Sequence, residues 1–169
     1  MQLPNEKLTT WEAFAVERAR LRINSLKLVM TNGCFDLLHP GHIHFLQNAR
    51  RLGDRLIVAL NSDASVRSLK GPRRPVMGEF ERAYALSALA CVDYIGIFDQ
   101  NHLAGEIRLV APDVYSKAED YTLESLDPRE RLALTESAAK IVFLPFLPGF
   151  STSDLIRKIA RASAPEELK

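Results

Sequence analysis

The stretch Leu28-Val-Met-Thr-Asn-Gly-Cys-Phe-Asp-Leu-Leu-His-Pro-Gly-His42 constrains the fold of this chain more than any other. An apolar strand at Lys27–Met30 runs into Thr31, Asn32 and Gly33. A helix then opens at Pro40 and carries Ile43, Phe45, Leu46, Ala49 and Leu52 at helical spacing. Strand, tight loop and helix N-terminus in direct succession make an anion site. Gly33 lets the backbone turn and approach a ligand closely, and Pro40 suits a first helical position, where its missing N–H costs nothing. The helix start therefore falls at His39. Its first turn leaves unpaired N–H groups at the positive end of the dipole, where phosphate is held most readily. His39 and His42, three residues apart, lean over the same turn, and Gly41 leaves the approach open.

The histidines admit other readings. His39, His42 and His44 together form a candidate metal cluster, although its remaining Cys, His or carboxylate ligand has to come from elsewhere. A histidine at a helix start also serves as a plain cap or a solvated side chain. Cys34 lies within the loop and is read as a small residue filling a tight turn. With only Cys91 besides it, the chain has no disulfide framework.

Beyond this unit, strands and helices alternate. A first helix runs from a Thr9 or Thr10 cap to about Arg22, with Trp11, Phe14, Ala15 and Ala19 in its stripe, and is expected to pack outside the main sheet. Arg55–Asn61 is an unbroken apolar run, the pattern of a strand buried on both faces of a parallel sheet. Then follow a helix near Phe80–Ala90, a strand at Val92–Phe98, a helix at Leu103–Val110, a strand at Asp113–Ser116, a helix at Pro128–Ala138, a strand at Lys140–Leu144 and a last helix from Ser151. The expected fold class is α/β, a doubly wound parallel sheet of five strands with helices on both faces. Ligands of such sheets gather beyond the carboxyl ends of the strands, where Thr31–Gly33, Asn61–Asp63, Ser116–Lys117 and Pro145–Gly149 should converge.

Length allows one such domain: 169 residues, 47% of them apolar, expected as a helical extension at 1–24, the domain at 25–164 and a tail at 165–169. A formal charge of +1 gives no footing for a nucleic-acid surface. No apolar run approaches a membrane span, and the first residues lack the apolar core of a signal peptide, so a cytoplasmic location is expected.

Three further stretches carry chemistry. Ser68-Leu-Lys-Gly-Pro-Arg-Arg-Pro75 is either a solvated connection or, beside a phosphate crevice, a source of cations in Lys70, Arg73 and Arg74. Arg82 lies on a helix whose core face is Phe80, Ala83 and Leu86, with the outer surface as its simplest place. Lys117 follows the fourth strand as a mobile cation within reach of phosphate. Ser151 with Asp154 reads as a helix cap, whereas Gly149 before Ser151, Thr152 and Ser153 also offers N–H and hydroxyl donors to phosphate.

Gly33-Cys-Phe-Asp36 with His39-Pro-Gly-His42 resembles the HxGH signature of the cytidylyltransferase-like nucleotidyltransferases. The likeness continues through Ala49-Arg-Arg-Leu-Gly-Asp-Arg-Leu-Ile-Val-Ala-Leu-Asn-Ser-Asp63, Leu69-Lys-Gly71, Arg74-Pro75, Glu81-Arg82 and Val92-Asp93. Over about residues 26–160 the chain is similar to the adenylyltransferase domain of ADP-heptose synthases. That resemblance implies a Rossmann-like nucleotidyltransferase fold and transfer of AMP from ATP to D-glycero-D-manno-heptose 1-phosphate, releasing pyrophosphate. It also implies Mg²⁺ carried mainly by the ATP phosphates, a homodimer, and a separate heptose kinase to supply the sugar phosphate.

The expected catalytic residues are His39, His42, Lys70 and Lys117. The expected nucleotide-binding residues are Thr31, Asn32, Gly33, Cys34, Phe35, Asp36, Gly41, Asn61, Asp63, Arg82, Ser151, Thr152 and Ser153. The family's Lys-Gly-Gly-Asp-Tyr stands here as Lys117-Ala-Glu-Asp-Tyr121, and the third hydroxyl of its Ser-Thr-Thr as Ser153. Related glycerol-3-phosphate cytidylyltransferases carry Arg-Thr-Glu-Gly where this chain has Phe146-Leu-Pro-Gly149, which favours ATP over CTP. Rival readings are transfer to glycerol 3-phosphate, a phosphoalcohol or FMN, or a regulatory module that binds nucleotide without turnover.

Overall fold

The computed structural model describes residues 6–145 and 147–163. The expected tail at 165–169, the last residue of the expected domain at 164, and Phe146 lie outside them. Five strands form one parallel sheet in the order β3-β2-β1-β4-β5, from β1 (Leu28–Gly33), β2 (Arg55–Asn61), β3 (Tyr94–Phe98), β4 (Val114–Ala118) and β5 (Lys140–Leu144). The five-stranded parallel sheet expected from the sequence is therefore the one observed.

Successive strand residues point to opposite faces, and both faces of this sheet are apolar. Leu28, Met30, Ile57, Ala59 and Tyr115 pack under α1 (Trp11–Ile23), α5 (Ala104–Val110) and α6 (Pro128–Glu136). Val29, Leu56, Val58 and Leu60 pack under α2 (Pro40–Arg50) and α4 (Glu79–Ser87). A short α3 (Asp63–Lys70) links β2 to α4, and α7 (Thr152–Ala162) closes the described chain.

The sequence misplaced several boundaries. β1 runs on through Thr31 to Gly33, because these residues pair with Val58, Ala59 and Leu60. β3 begins at Tyr94 rather than Val92, since the Asp93 carboxylate is occupied in accepting the Leu56 N–H and pairing with Arg50. β4 reaches Ala118, which pairs with Leu144.

The first helix lies outside the sheet, on one of its faces, and contributes to the core there. Phe14 and Leu21 are buried in the same cluster as Leu28 and Met30. Trp11 donates its indole N–H to the Ile97 carbonyl at 2.7 Å, lying so close to the sheet that a Cβ on Gly96 would come within 2.6 Å of the ring. The buried Arg18 guanidinium bonds the Val110 and Ala111 carbonyls and Asp113. Leu8 bridges Ile95, so the segment before α1 also covers part of edge strand β3.

Strand order reverses at β1. The chain builds outward through β2 and β3, then returns to place β4 on the other side of β1. The loops after β1 and β4 consequently diverge and leave a crevice at their carboxyl ends.

Candidate active site

The crevice is floored by a bond across the switch point: the Thr31 hydroxyl donates to the Ser116 carbonyl at 2.9 Å. Thr31 itself is fully buried, so it joins the two strands behind the site. Beyond Gly33 the chain turns sharply. Phe35 takes a φ of 44°, a left-handed conformation that costs a non-glycine residue energy, and its ring folds back until a Cβ on Gly33 would lie 2.9 Å away. That close approach is what Gly33 permits.

Phe35 then meets His42 edge-on, with ring centroids 5.2 Å apart. His39 caps α2 as expected, its Nδ1 accepting the His42 backbone N–H at 3.3 Å. An imidazole that accepts through Nδ1 carries its proton on Nε2 when neutral. The two histidines stack 3.7 Å apart, with planes 19° from parallel. Burial, then the neighbouring His39 and Lys70 charges, push the His42 pKa down to about 4, and burial lowers that of His39. Both rings are neutral near pH 7, and the His42 ring also lies against the Leu37 backbone, whose hydrogen bond opposes the downward shift. A polyphosphate entering here meets neutral N–H donors and the open first turn of α2. His44, by contrast, is hydrogen-bonded to Asn48 at 2.9 Å. Among the described residues no group of three or more His, Cys, Asp or Glu is arranged to hold a metal ion.

The opposite wall comes from the turn before α7. A cavity of about 230 Å³ lies between His39–Pro40 and Gly149–Ser151, with Asp154 and Lys158 on its α7 side. Gly41 allows this closure, because a Cβ there would lie 3.0 Å from the His39 ring and 3.3 Å from Phe150. Ser151 is an N-cap in this structure: its hydroxyl accepts the Asp154 N–H at 3.0 Å and reaches the Asp154 carboxylate at 2.6 Å. Thr152 and Ser153 follow in the first turn of α7, so the cap reading of this motif is the one observed, at a turn that borders His39.

Several residues expected at the nucleotide also hold the loop together. Asp36 is 2% exposed; it accepts the Val76 and Met77 N–H groups and pairs with Arg74 at 2.7 Å. Arg74 is thereby spent, leaving Lys70 and Arg73 as exposed cations of the basic loop. Arg82 is a correction in both directions. It is neither on the outer surface nor open to a ligand, being fully buried, with bonds to the Met77 carbonyl (3.0 Å), the Cys34 carbonyl (2.6 Å) and Asp63 (2.8 Å). It clamps the ends of β1 and β2 to the start of α4. Asn61 bonds Ser65 at 2.9 Å and lies beside the Cys34 thiol, and Asn32 accepts from the Tyr115 hydroxyl at 2.9 Å.

Lys117 is also corrected. It is 8% exposed, held over the Tyr121 ring at 4.6 Å and the Tyr115 ring at 5.9 Å, and so is a fixed cation rather than a mobile one. Burial lowers its pKa, while Glu130 and Asp120 oppose that shift. Tyr115, Glu130 and Phe150 escaped the sequence reading, and Tyr121 entered it only as the end of the Lys117–Tyr121 motif. Their only signal was apolar or amphipathic periodicity, which indicates burial and not which site the burial serves.

Residues 30–158 match the cytidylyltransferase-like family. The bifunctional protein HldE of Koribacter versatilis is 49% identical over 83% of this chain and 28% of its own length. The bifunctional protein HldE of Trichlorobacter lovleyi is 44% identical over 92% of this chain and 30% of its own. The chain thus spans less than a third of these curated relatives. Among solved structures, a lipopolysaccharide core biosynthesis protein from Thermoplasma volcanium superimposes with a TM-score of 0.59 and 26% identity, over 72% of this chain and 97% of that one.

Proposed function

This chain belongs to the cytidylyltransferase-like family, and from that premise we propose that it transfers AMP from MgATP to D-glycero-D-manno-heptose 1-phosphate, giving ADP-heptose and pyrophosphate. The observation that carries the reading is the stacked His39–His42 pair at the N-terminus of α2, facing the first turn of α7 across a cavity of about 230 Å³. Similarity to the HldE proteins over most of the chain supports the sugar, as does the likeness to ADP-heptose synthases.

The acceptor is already an anion near neutral pH, since the second pKa of a phosphate monoester is about 6. No general base and no covalent nucleophile are required. The acceptor oxygen attacks the α-phosphorus, the bond to the bridging oxygen breaks, and pyrophosphate leaves with that electron pair. The protein aligns two anions and offsets charge on the α-phosphate and the leaving group. Neutral His39 and His42 donate N–H bonds, the Gly33–Phe35 turn and the first turn of α2 supply backbone donors, and Lys70 and Lys117 supply fixed charge. Thr152 and Ser153 hold the far phosphates. Asp36 and Asp63 are committed to arginines, so Mg²⁺ arrives as part of the substrate, on the phosphates.

A cytoplasmic homodimer acting in lipopolysaccharide core biosynthesis is part of the same proposal, the last in keeping with the Thermoplasma volcanium neighbour. No helix among the described residues is long and apolar enough to cross a membrane. Incubation with MgATP and the heptose phosphate, followed by mass spectrometry, tests the reading. ADP-heptose is the expected product. A cytidylyl product, or none from this acceptor, contradicts it.

A further inference from the structure

Tyr121 has no part in the transfer chemistry, yet its place is closely determined. It is 41% exposed, so core packing does not account for where its ring lies. β4 ends at Ala118, which pairs with Leu144, and the Glu119 N–H donates to the Leu144 carbonyl at 2.9 Å. A β-turn follows, closed by the Tyr121 N–H donating to the Ala118 carbonyl at 3.0 Å. That turn folds Tyr121 back against the strand it follows, and its ring centroid comes to 4.6 Å from the Lys117 Nζ. The Tyr115 ring, two positions before Lys117 on the same face of β4, lies 5.9 Å from the same atom. Tyr115 is fully buried and anchored by its hydroxyl, which donates to Asn32 at 2.9 Å. One ring is thus fixed by the core, and the closer one is carried on a surface turn.

Lys117 needs such partners. It is 8% exposed, and a buried ammonium is costly unless something replaces its hydration. No ion pair among the described residues includes it. An aromatic face attracts a cation within about 6 Å of its centroid, most strongly where water is excluded, and both tyrosine contacts fall inside that distance. We infer that Tyr121 is a positioning residue for the transfer reaction: its ring face holds the Lys117 ammonium at the carboxyl end of β4, and the turn from Ala118 to Tyr121 sets where that cation sits. This rests on the proposed function, in which Lys117 offsets phosphate charge. Without the ring, the flexible lysine stem spreads its charge over several rotamers, and the substrate has to order it. The contact uses the ring face and not the hydroxyl.

Tyr121→Phe keeps the ring face, whereas Tyr121→Leu keeps apolar bulk without it. The side chain is partly exposed, so both variants should fold, and a thermal melt checks this. The kcat/KM of pyrophosphate release from MgATP and heptose 1-phosphate is expected to stay within about twofold of wild type in Tyr121→Phe and to fall roughly 5- to 30-fold in Tyr121→Leu, the range for one desolvated cation–ring contact. Phenylalanines with increasing ring fluorination at position 121, which weaken the ring face without changing the fold of the turn, should lower kcat/KM stepwise. The Hε protons of Lys117, shifted upfield by the ring current, should keep their position in Tyr121→Phe and move downfield in Tyr121→Leu. Equal kcat/KM in the Phe and Leu variants, no response to fluorination, or Hε resonances indifferent to loss of the ring overturn the inference. If wild-type protein releases no pyrophosphate with any substrate pair, the proposed function fails instead, and the Lys117 resonances alone then decide whether Tyr121 holds the cation.

Discussion

The His39 and His42 imidazoles stack 3.7 Å apart while the Nδ1 of His39 holds the backbone N–H of His42. Two cations at that separation repel, and one ring is largely buried, so the pair is built to stay neutral until an anion arrives. That single relationship joins helix capping, the electrostatics of the site and its chemistry.

The pH dependence of stability follows from it. Unfolded chain protonates His42 below its ordinary value of 6.5, whereas the folded protein resists until about pH 4. The unfolded state therefore binds more protons between those limits, and stability is lost as pH falls through that window, by at most about 3 kcal/mol from this group. Urea denaturation from pH 7 to pH 4 should show the loss, and His42→Asn should flatten it. A slope unchanged by the substitution would remove His42 as its source.

Replacement of His42 by Ala should depress turnover far more than stability. Its ring bonds no other side chain in the folded protein, but it borders the expected phosphate position. Steady-state kinetics beside a thermal melt check this. Wild-type turnover in the variant would exclude His42 from the mechanism.

Arg82→Met should destabilise the fold by about 3–5 kcal/mol, the usual cost of stranding one partner of a buried ion pair. Here the stranded groups are Asp63 and the carbonyls of Cys34 and Met77. Arg82→Lys should recover little, since an ammonium does not reproduce the three-way fork. Denaturant midpoints measure both.

Gly41→Ala separates the helix from the site. Alanine favours a helix over glycine by about 1 kcal/mol, yet its Cβ would crowd His39 and Phe150 at 3.0 and 3.3 Å. Thermal stability should hold or rise while kcat/KM falls. Unchanged kcat/KM would show that the turn before α7 does not need to close on α2.

The sheet was legible because its strands are short apolar runs between helical patterns, and the His39 cap because Pro40 marks the helix start. Local chemistry was enough for both. The partners of Asp36, Arg82 and Lys117 were not legible. Arg82 finds Asp63 and the Cys34 carbonyl 19 and 48 positions away, and nothing in a charged residue's immediate neighbours says whether the fold will bury it. The N-terminal helix was legible only in part for a related reason: its stripe announced a buried face but not which surface covers it. Ser151 shows both sides: Asp154 three positions on marks the cap locally, while the approach of this turn to His39 across the cavity has no local signal.

The central claim, adenylyl transfer at the histidine pair, is tested most directly by the initial rate of pyrophosphate release with Mg²⁺, crossing ATP and CTP against heptose 1-phosphate, glycerol 3-phosphate, phosphocholine and FMN. Release confined to ATP with heptose 1-phosphate, and abolished in His42→Ala, is the predicted result. Release with CTP or another acceptor in preference, or silence with every pair while ATP still binds, would contradict it.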